Sequence, residues 1–266
     1  MAAIDWVRAR IVPITAGLVL FYLFLPVFVV ALLSFNEPSS RFNYTFSKFT
    51  LDNWLHPCAP PGMCQSLSLS IRIAALATLV ATVLGTLVAF ALVRHRFRGR
   101  SGTNLLIFLP MATPEVVMGS SLLALFVSGL QLVNLGFTTI LIAHIMFCLS
   151  FVVVTVKARV ASMDPNLEQA AMDLYANEAT AFMRVTLPLA LPGIVAAAML
   201  SFSLSFDDFV ITNFNRGNLN TFPTFIWGAN QRGIPPQVNV IGTAMFLVAL
   251  LLVVVGQSAG RRRRGV

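Results

Sequence analysis

Six long apolar segments alternate with shorter polar stretches along this chain. They cover residues 11–33, 67–93, 105–130, 133–156, 189–212 and 240–256. About 20 helical residues cross the roughly 30 Å of hydrocarbon in a bilayer, and the segments approach or exceed that length, although the last is short. The pattern therefore predicts an all-α integral membrane protein with six transmembrane helices.

The first apolar segment has a cleaved secretion signal as its competing interpretation. Its apolar run is longer than the roughly 7 to 15 residues of a signal core. It also ends in the bulky side chains of Leu32, Leu33 and Phe35 rather than at a small-residue cleavage site. We therefore expect a retained membrane helix.

Composition and charge placement support a membrane location. Hydrophobic residues make up 57% of the chain and charged residues 11%, which is far from the balance of a soluble protein. If the N-terminus is cytoplasmic, thirteen of the 18 Lys and Arg residues fall on the cytoplasmic side, including 261–264. This bias predicts that both termini are cytoplasmic, and it favours an arginine run near anionic lipid over a nucleic-acid partner.

The cysteines and histidines give no pattern of a metal site. Cys58 and Cys64 share the first predicted outer loop, where both a disulfide and two free thiols remain open interpretations. His56 is the nearby histidine, which is too little for zinc. His144 lies in the fourth apolar segment with Cys148, and we interpret it as a packed polar residue.

Three carboxylates interrupt the apolar segments, at Glu115, Asp207 and Asp208. An ionisable side chain inside a bilayer costs several kcal/mol unless it lines a cavity or meets a partner, so all three are candidates for a transport path. Glu115 follows Pro110 and Pro114 and is expected near the midplane, about eleven residues into the third helix. The structural alternative is a hydrogen bond within the fold.

The adjacent aspartates need separate roles, because neighbouring positions on a helix point about 100° apart. We expect one of them to line a path and the other to bind structure. The alternative is that both cap a helix end or pair with Arg72, Arg216 or Arg232.

The long polar segment 163–188 has the pattern of two short helices. Asp164 is placed to cap the first helix, with Pro165 at its first position, and Asn177 is placed to cap the second. The apolar positions repeat with a period of about 3.6. They are Leu167, Ala170, Ala171 and Leu174. We expect a helix-turn-helix at the cytoplasmic membrane surface.

The same segment contains Gln169-Ala170-Ala171, three residues, Tyr175, and later Leu187-Pro188. It resembles the permease family of ATP-binding-cassette (ABC) importers, whose pattern is Glu-Ala-Ala, three residues, Gly, and later Leu-Pro. Gln169 replaces the motif Glu, although Glu168 precedes it, and Tyr175 replaces the motif Gly. The resemblance implies coupling helices at about 164–187 that dock on an ATPase. The implied contact residues are Glu168, Gln169, Ala170, Ala171, Tyr175, Leu187 and Pro188.

The resemblance extends along nearly the whole chain and is closest to spermidine/putrescine-type permeases. The segments that carry it are 94–99, 114–118, 143–148, 151–156 and 204–212. It implies one transmembrane permease domain, 1–266, with the type I ABC importer permease fold. It also implies a substrate path formed by Glu115, Asp207, Asp208 and Trp54. Trp54 has the alternative of an interfacial anchor.

The chain lacks the sequence of an ATPase. Its two lysines, Lys48 and Lys157, do not follow a Gly-rich Walker loop, and no catalytic constellation indicates an enzyme. The resemblance implies an ABC ATPase dimer that binds ATP and Mg, a second homologous permease subunit and an extracytoplasmic solute-binding protein. It places the complex in a bacterial inner membrane, with no cofactor in this chain.

Two other functions remain open. One is an ABC importer permease for a different small solute, such as iron, thiamine or sulfate. The other is a stand-alone, cation-coupled secondary transporter or channel that uses Glu115 and Asp208 as ion sites.

Overall fold

The computed structural model describes residues 2–40, 43, 45–129, 134–164 and 166–262, and this part of the chain is mostly helical. Its helices are α1 (Ala2–Leu33), α2 (Asp52–Leu55), α3 (Met63–Arg94), α4 (Arg100–Ala112), α5 (Glu115–Ala124), α6 (Phe137–Ala161), α7 (Asn166–Asp173), α8 (Glu178–Ala181), α9 (Leu187–Asp207), α10 (Val210–Asn215), α11 (Phe222–Arg232) and α12 (Pro236–Arg262). The π-helical turns Leu125–Gly129 and Phe182–Thr186 follow α5 and α8, and the strands β1 (Asn36–Glu37) and β2 (Lys48–Phe49) pair antiparallel after α1.

The described residues contain four helices that are long and apolar enough to cross a membrane, and five if α4 and α5 count as one broken span. The four are Arg10–Leu33, Met63–Arg94, Phe137–Ala161 and Glu178–Asp207. They correspond to the first, second, fourth and fifth predicted segments. A shorter apolar helix, Pro236–Leu251, is found in the C-terminal region within the residues described in full, so a sixth span stays a prediction.

The third predicted segment, 105–130, is not a continuous helix. The axes of α4 and α5 differ by 105° across a break at Thr113 and Pro114. The proline ring disfavours helical geometry in the preceding residue, and Thr113 is accordingly extended, with φ −82° and ψ 131°. Glu115 therefore begins a helix, which corrects the prediction that it lies eleven residues inside one.

The fifth predicted segment, 189–212, is also interrupted, although no proline lies at the break. Helix α9 ends at Asp207, the backbone of Asp208 is extended, with φ −63° and ψ 121°, and α10 begins at Val210. Two of the three acids predicted for the path, Asp207 and Asp208, therefore lie where one helix ends and the next has not yet begun. The prediction of one uninterrupted helix over this segment was wrong.

The chain divides into two compact units, Met1–Met63 with Ile226–Val266, and Cys64–Phe225. In the first unit α1 packs against α12, and the rings of Phe24 and Phe246 lie 6.1 Å apart. Most of the apolar side chains described in α1 remain exposed. Such a surface is compatible with lipid, in which apolar exposure carries no penalty.

The second unit has its core around α6, which contacts α4, α9 and α10. Val152, Val153 and Val156 on α6 are at most 1% exposed. A Cβ added to Gly85 of α3 would lie 2.6 Å from Cγ1 of Val152, so the backbone of α3 packs directly on α6. This packing fixes the helices that carry the candidate site.

Candidate functional site

The three acids come together in the second unit, at the two helix breaks. Glu115 begins α5, while Asp207 and Asp208 lie where α9 gives way to α10. Helix α5 contacts α10, and α10 contacts α6. Glu115 therefore lies on a helix packed against the one that begins just after the two aspartates. The structure thus joins residues that are almost 100 positions apart in the sequence into one acidic cluster.

Asp208 is buried, with 8% of its surface exposed, and its carboxylate has several donors. Oδ2 accepts hydrogen bonds from the backbone N–H of Thr212 at 2.8 Å and from the Thr212 hydroxyl at 2.9 Å. Oδ1 accepts from the backbone N–H of Ile211 at 3.3 Å. These N–H groups belong to the first turn of α10, so Asp208 caps that helix. One aspartate of the pair was predicted to line a path and the other to bind structure, and Asp208 has the structural role.

His144 links this cap to the core of the unit. The ring is 2% exposed, with Nδ1 2.7 Å from Oγ of Ser205 and Nε2 2.8 Å from Oγ1 of Thr212. Nε2 also lies 3.3 Å from Oδ2 of Asp208. Because the Thr212 hydroxyl donates to Asp208, it accepts from Nε2–H of His144. His144 is therefore a packed polar residue, as predicted. Sequence reasoning missed its contact with Asp208.

Glu115 and Asp207 present exposed side chains. Neither forms an ion pair within the part of the chain that the structure describes. The predicted alternative of pairing with arginine is thus not found there, and Arg216 instead bonds Asn213, Asn220 and the carbonyl of Leu219. These two carboxylates remain available to a cation from outside the chain.

Trp54 belongs to the first unit and is half-buried. Its Nε1 donates to Oγ of Ser34 at 3.1 Å, and its ring stacks on Phe35 with centroids 5.4 Å apart. Phe35 in turn stacks on Phe49 at 5.8 Å. This stack of three rings is compatible with both predicted interpretations of Trp54, an interfacial anchor and a substrate contact.

The cysteines differ in state. Cys58 and Cys64 are disulfide-bonded, whereas Cys148 is a buried free thiol. Of the two interpretations left open for the first pair, the structure contains the bridged one.

Segment 163–188 contains both predicted caps. Oδ1 of Asp164 accepts from the backbone N–H of Asn166 at 2.9 Å, and Oδ1 of Asn177 accepts from that of Thr180 at 2.8 Å. Pro165 lies outside the described residues. The second helix continues through the π-helical turn into α9, so Leu187 and Pro188 form the first turn of α9.

Glu168 faces its own chain. Its Oε1 lies 2.9 Å from Nη2 of Arg94 and also accepts a hydrogen bond from the Thr186 hydroxyl. One carboxylate therefore ties α7 to the end of α3 and to the residue just before α9. The neighbouring motif positions Gln169 and Ala170 are exposed, and Ala171 is half-buried.

Tyr175 has φ 64°, and among the residues that the structure describes it is the one non-glycine residue with positive φ. Its backbone N–H donates to the carbonyl of Met172 at 3.0 Å, and that of Ala176 donates to Ala171 at 3.1 Å. These two bonds form a Schellman motif after α7, with Tyr175 in the position that glycine prefers. The position where the family motif has Gly therefore holds a left-handed turn in this chain, at a cost of roughly 1–2 kcal/mol.

Gly119 allows α5, and with it Glu115, to pack closely on α10. An added Cβ would lie 2.8 Å from the Phe214 ring and 3.3 Å from Cα of Ile211. We expect Gly119→Ala to lower stability by about 1–3 kcal/mol through overpacking, measured as a lower melting temperature in detergent. Gly102→Ala is the matched control, because nothing lies within 4 Å of its added Cβ and alanine favours helix. Equal melting temperatures for the two variants would contradict this packing.

Comparison of the sequence with known proteins identifies a family. A family profile described as binding-protein-dependent transport system inner membrane component matches residues 81–262. The spermidine/putrescine transport system permease protein PotC of Haemophilus influenzae is 37% identical over 243 residues, which cover 91% of this chain and 93% of that protein. The putrescine transport system permease protein PotI of Escherichia coli is 34% identical over 228 residues, or 84% of this chain and 80% of PotI.

Solved structures share the fold at lower sequence identity. A bacterial ABC transporter involved in the import of the acidic polysaccharide alginate has a TM-score of 0.69 at 15% identity, covering 96% of both chains. An amino acid ABC transporter has a TM-score of 0.56 at 19% identity, covering 82% of this chain and all of that one. At these identities the likeness shows the fold, which confirms the prediction of an ABC importer permease architecture.

Proposed function

The chain belongs to the family of binding-protein-dependent transport system inner membrane components, and we propose that it is a permease subunit that takes up polyamines in an ATP-driven importer. The observation that carries the substrate class is its 37% identity, over 91% of its length, to a spermidine/putrescine permease. The acidic cluster supplies the chemistry that such a substrate needs.

A polyamine is a chain of ammonium groups separated by methylenes. The exposed carboxylates of Glu115 and Asp207 are suited to successive ammonium groups, and aromatic faces such as Trp54 add about 0.5–2 kcal/mol each through cation–π attraction. In this proposal Asp208 does not bind the substrate directly. Its carboxylate caps α10 and so stabilises the break between α9 and α10. The resemblance also assigned Asp208 to the path, and the burial of its carboxylate supports an indirect contribution.

The remaining parts of the importer are separate chains in this proposal. An ABC ATPase dimer binds ATP and Mg, a second permease subunit completes the pathway, and an extracytoplasmic solute-binding protein delivers the substrate. In this proposal the chain crosses a bacterial inner membrane six times, and the positive-inside bias supports cytoplasmic termini. Segment 163–188 then lies on the ATPase side.

The mechanism proposed is alternating access. Closure of the ATPase dimer would move α7, and the link from Glu168 to Arg94 and Thr186 would pass that movement to α3 and α9. Helix α9 leads directly to Asp207, so movement at α7 would reach the acidic cluster through one helix.

Reconstitution of the complete importer in proteoliposomes tests the function. We expect uptake of labelled spermidine or putrescine that requires ATP, the ATPase and this chain, and that unlabelled polyamine competes away. Labelled thiamine, sulfate and iron are the parallel substrates, and uptake of one of them instead of polyamine would overturn the substrate class. Uptake by this chain alone without ATP would identify a secondary transporter.

A further inference from the structure

We propose that a cavity between the end of α3 and the start of α8 binds a phospholipid whose headgroup carries both a phosphate and an ammonium group, as in phosphatidylethanolamine. The cavity has a volume of about 380 Å³ and lies within the second unit. This volume falls in the range of roughly 300–1,000 Å³ that is typical of small-ligand sites. The inference goes beyond the proposed function, because it concerns the membrane and not the solute that is carried.

The cavity lies where two candidate membrane spans end. One of these spans is Met63–Arg94, and the other is Glu178–Asp207. Arg94 and Glu178, the terminal residues of the two spans, both line the cavity. Polar groups at the ends of membrane spans lie at the level of the lipid headgroups. In the proposed topology this level is the cytoplasmic boundary of the bilayer.

Two aromatic rings of the cavity lie further inside the same spans. Phe90 precedes Arg94 by four residues on α3, and Phe182 follows Glu178 by four residues. Four helical residues advance about 6 Å along a span. The two ring centroids are 5.3 Å apart, with the planes at 71°. Charged groups at the boundary and apolar rings beneath them match the order of headgroup and acyl chains in a phospholipid.

Arg94 supplies donors for the phosphate. Its Nε and Nη2 are buried and have no hydrogen-bond partner among the described residues. Nη2 lies 2.9 Å from Oε1 of Glu168, which is the distance of an ion pair, but without the alignment of a hydrogen bond. Buried donors without an acceptor are costly, so a phosphate oxygen that the guanidinium reaches by a small rotation would be bound favourably. His95 also lines the cavity and is a further donor.

Glu178 supplies the acceptor for the ammonium group. Its side chain is exposed, and it forms no ion pair within the described part of the chain. A ligand with only positive charge would be repelled by Arg94 and would leave its donors unsatisfied. A ligand with only negative charge would meet the carboxylates of Glu168 and Glu178. Charge complementarity therefore favours a headgroup that carries both charges.

Lipid titration of the complete chain, purified in detergent and stripped of bound lipid, tests the site. Binding is measured by thermophoresis of the labelled chain. We expect phosphatidylethanolamine to bind at least about tenfold more tightly than phosphatidylglycerol, which has the phosphate but no ammonium group. Equal affinity for the two lipids would overturn the proposal.

Free phosphoethanolamine distinguishes a lipid from a soluble ligand with the same charges. It should bind at least about tenfold more weakly than phosphatidylethanolamine, because it has no acyl chains to contact the two aromatic rings. Equally tight binding of the free headgroup would overturn the lipid as the ligand and identify a site for a soluble phosphorylated amine.

Two substitutions assign the charges of the headgroup to this cavity. Glu178→Gln should abolish the preference between the lipids by weakening phosphatidylethanolamine about tenfold, without weakening phosphatidylglycerol. Arg94→Gln should weaken both lipids at least about tenfold, because both carry a phosphate. Asp173→Asn is the matched control for Glu178→Gln, because it removes an exposed acid that does not line the cavity. It should keep the full preference.

The lipid preference is a ratio of two affinities of the same variant, so partial unfolding does not imitate its loss. A preference that survives in Glu178→Gln, or that is lost equally in Asp173→Asn, would overturn the assignment of the ammonium group to this cavity. These measurements do not involve transport, so their failure would leave the proposed function unchanged.

Discussion

Asp207→Asn is expected to lower polyamine uptake at least about tenfold at limiting substrate. The Asp207 carboxylate is exposed at the end of α9 and has no ion-pair partner in the described chain, so its charge is available to an ammonium group. A hydrogen bond to a charged group contributes about 1.5–3 kcal/mol, which corresponds to roughly tenfold to a hundredfold in affinity. Initial rates over a range of polyamine concentrations should show a raised KM.

Adding Glu115→Gln to Asp207→Asn should deepen the loss to about a hundredfold or more, because the second carboxylate of the same cluster is removed. Glu37→Gln is the control, since Glu37 forms an exposed ion pair with Lys48 in the first unit. Exposed pairs of that kind contribute about 0–1 kcal/mol, so uptake should be unchanged. The melting temperature of Asp207→Asn should also remain near the wild type. Normal uptake by the double variant would remove both acids from the path.

Sequence reasoning succeeded where the determining interactions are local. The first, second, fourth and fifth apolar segments correspond to described helices, because hydropathy and length decide whether a helix suits a bilayer. The caps at Asp164 and Asn177 were also predictable, since a capping side chain binds backbone groups two or three residues away. Both kinds of signal lie within one short window of sequence.

It did not succeed where distant residues decide the outcome. Periodicity showed that Asp207 and Asp208 point in different directions, but it could not show which one is buried. The structure shows that Asp208 is the buried one, in contact with His144, which lies 64 positions earlier in the sequence. Likewise, Pro114 identified a weak point in the third segment, but it could not give the 105° bend or the contact of α5 with α10, which lies almost 100 positions later in the sequence.

The two departures from the family motif, Gln169 and Tyr175, show the same contrast between what local sequence predicts and what distant contacts decide. The sequence identified Tyr175 and Gln169 as replacements for Gly and Glu, but not what the chain does with them. The structure keeps the left-handed turn with a tyrosine in it. It also directs Glu168 to Arg94, 74 positions away, so that carboxylate is engaged within the chain rather than exposed as a substitute for the motif acid.

Asp208→Asn is expected to destabilise the protein by about 2–4 kcal/mol, the range for breaking a buried charged network. The asparagine side chain has one acceptor oxygen in place of two, so its NH2 group would face a donor, either the N–H of Ile211 or the N–H of Thr212. Because Asp208 is buried, bulk water does not replace the lost acceptor. The measurement is the melting temperature of the purified chain in detergent.

The two aspartate variants together decide the division of roles. If Asp208 is the structural cap, its variant should have a lowered melting temperature and a reduced amount of folded transporter, while the transporter that folds keeps its KM. Asp207→Asn should show the reverse, a raised KM at an unchanged melting temperature. A raised KM with normal stability in Asp208→Asn would exchange the roles and place Asp208 in contact with the substrate. His144→Ala would then also have to raise KM, because the same ring holds that carboxylate in place.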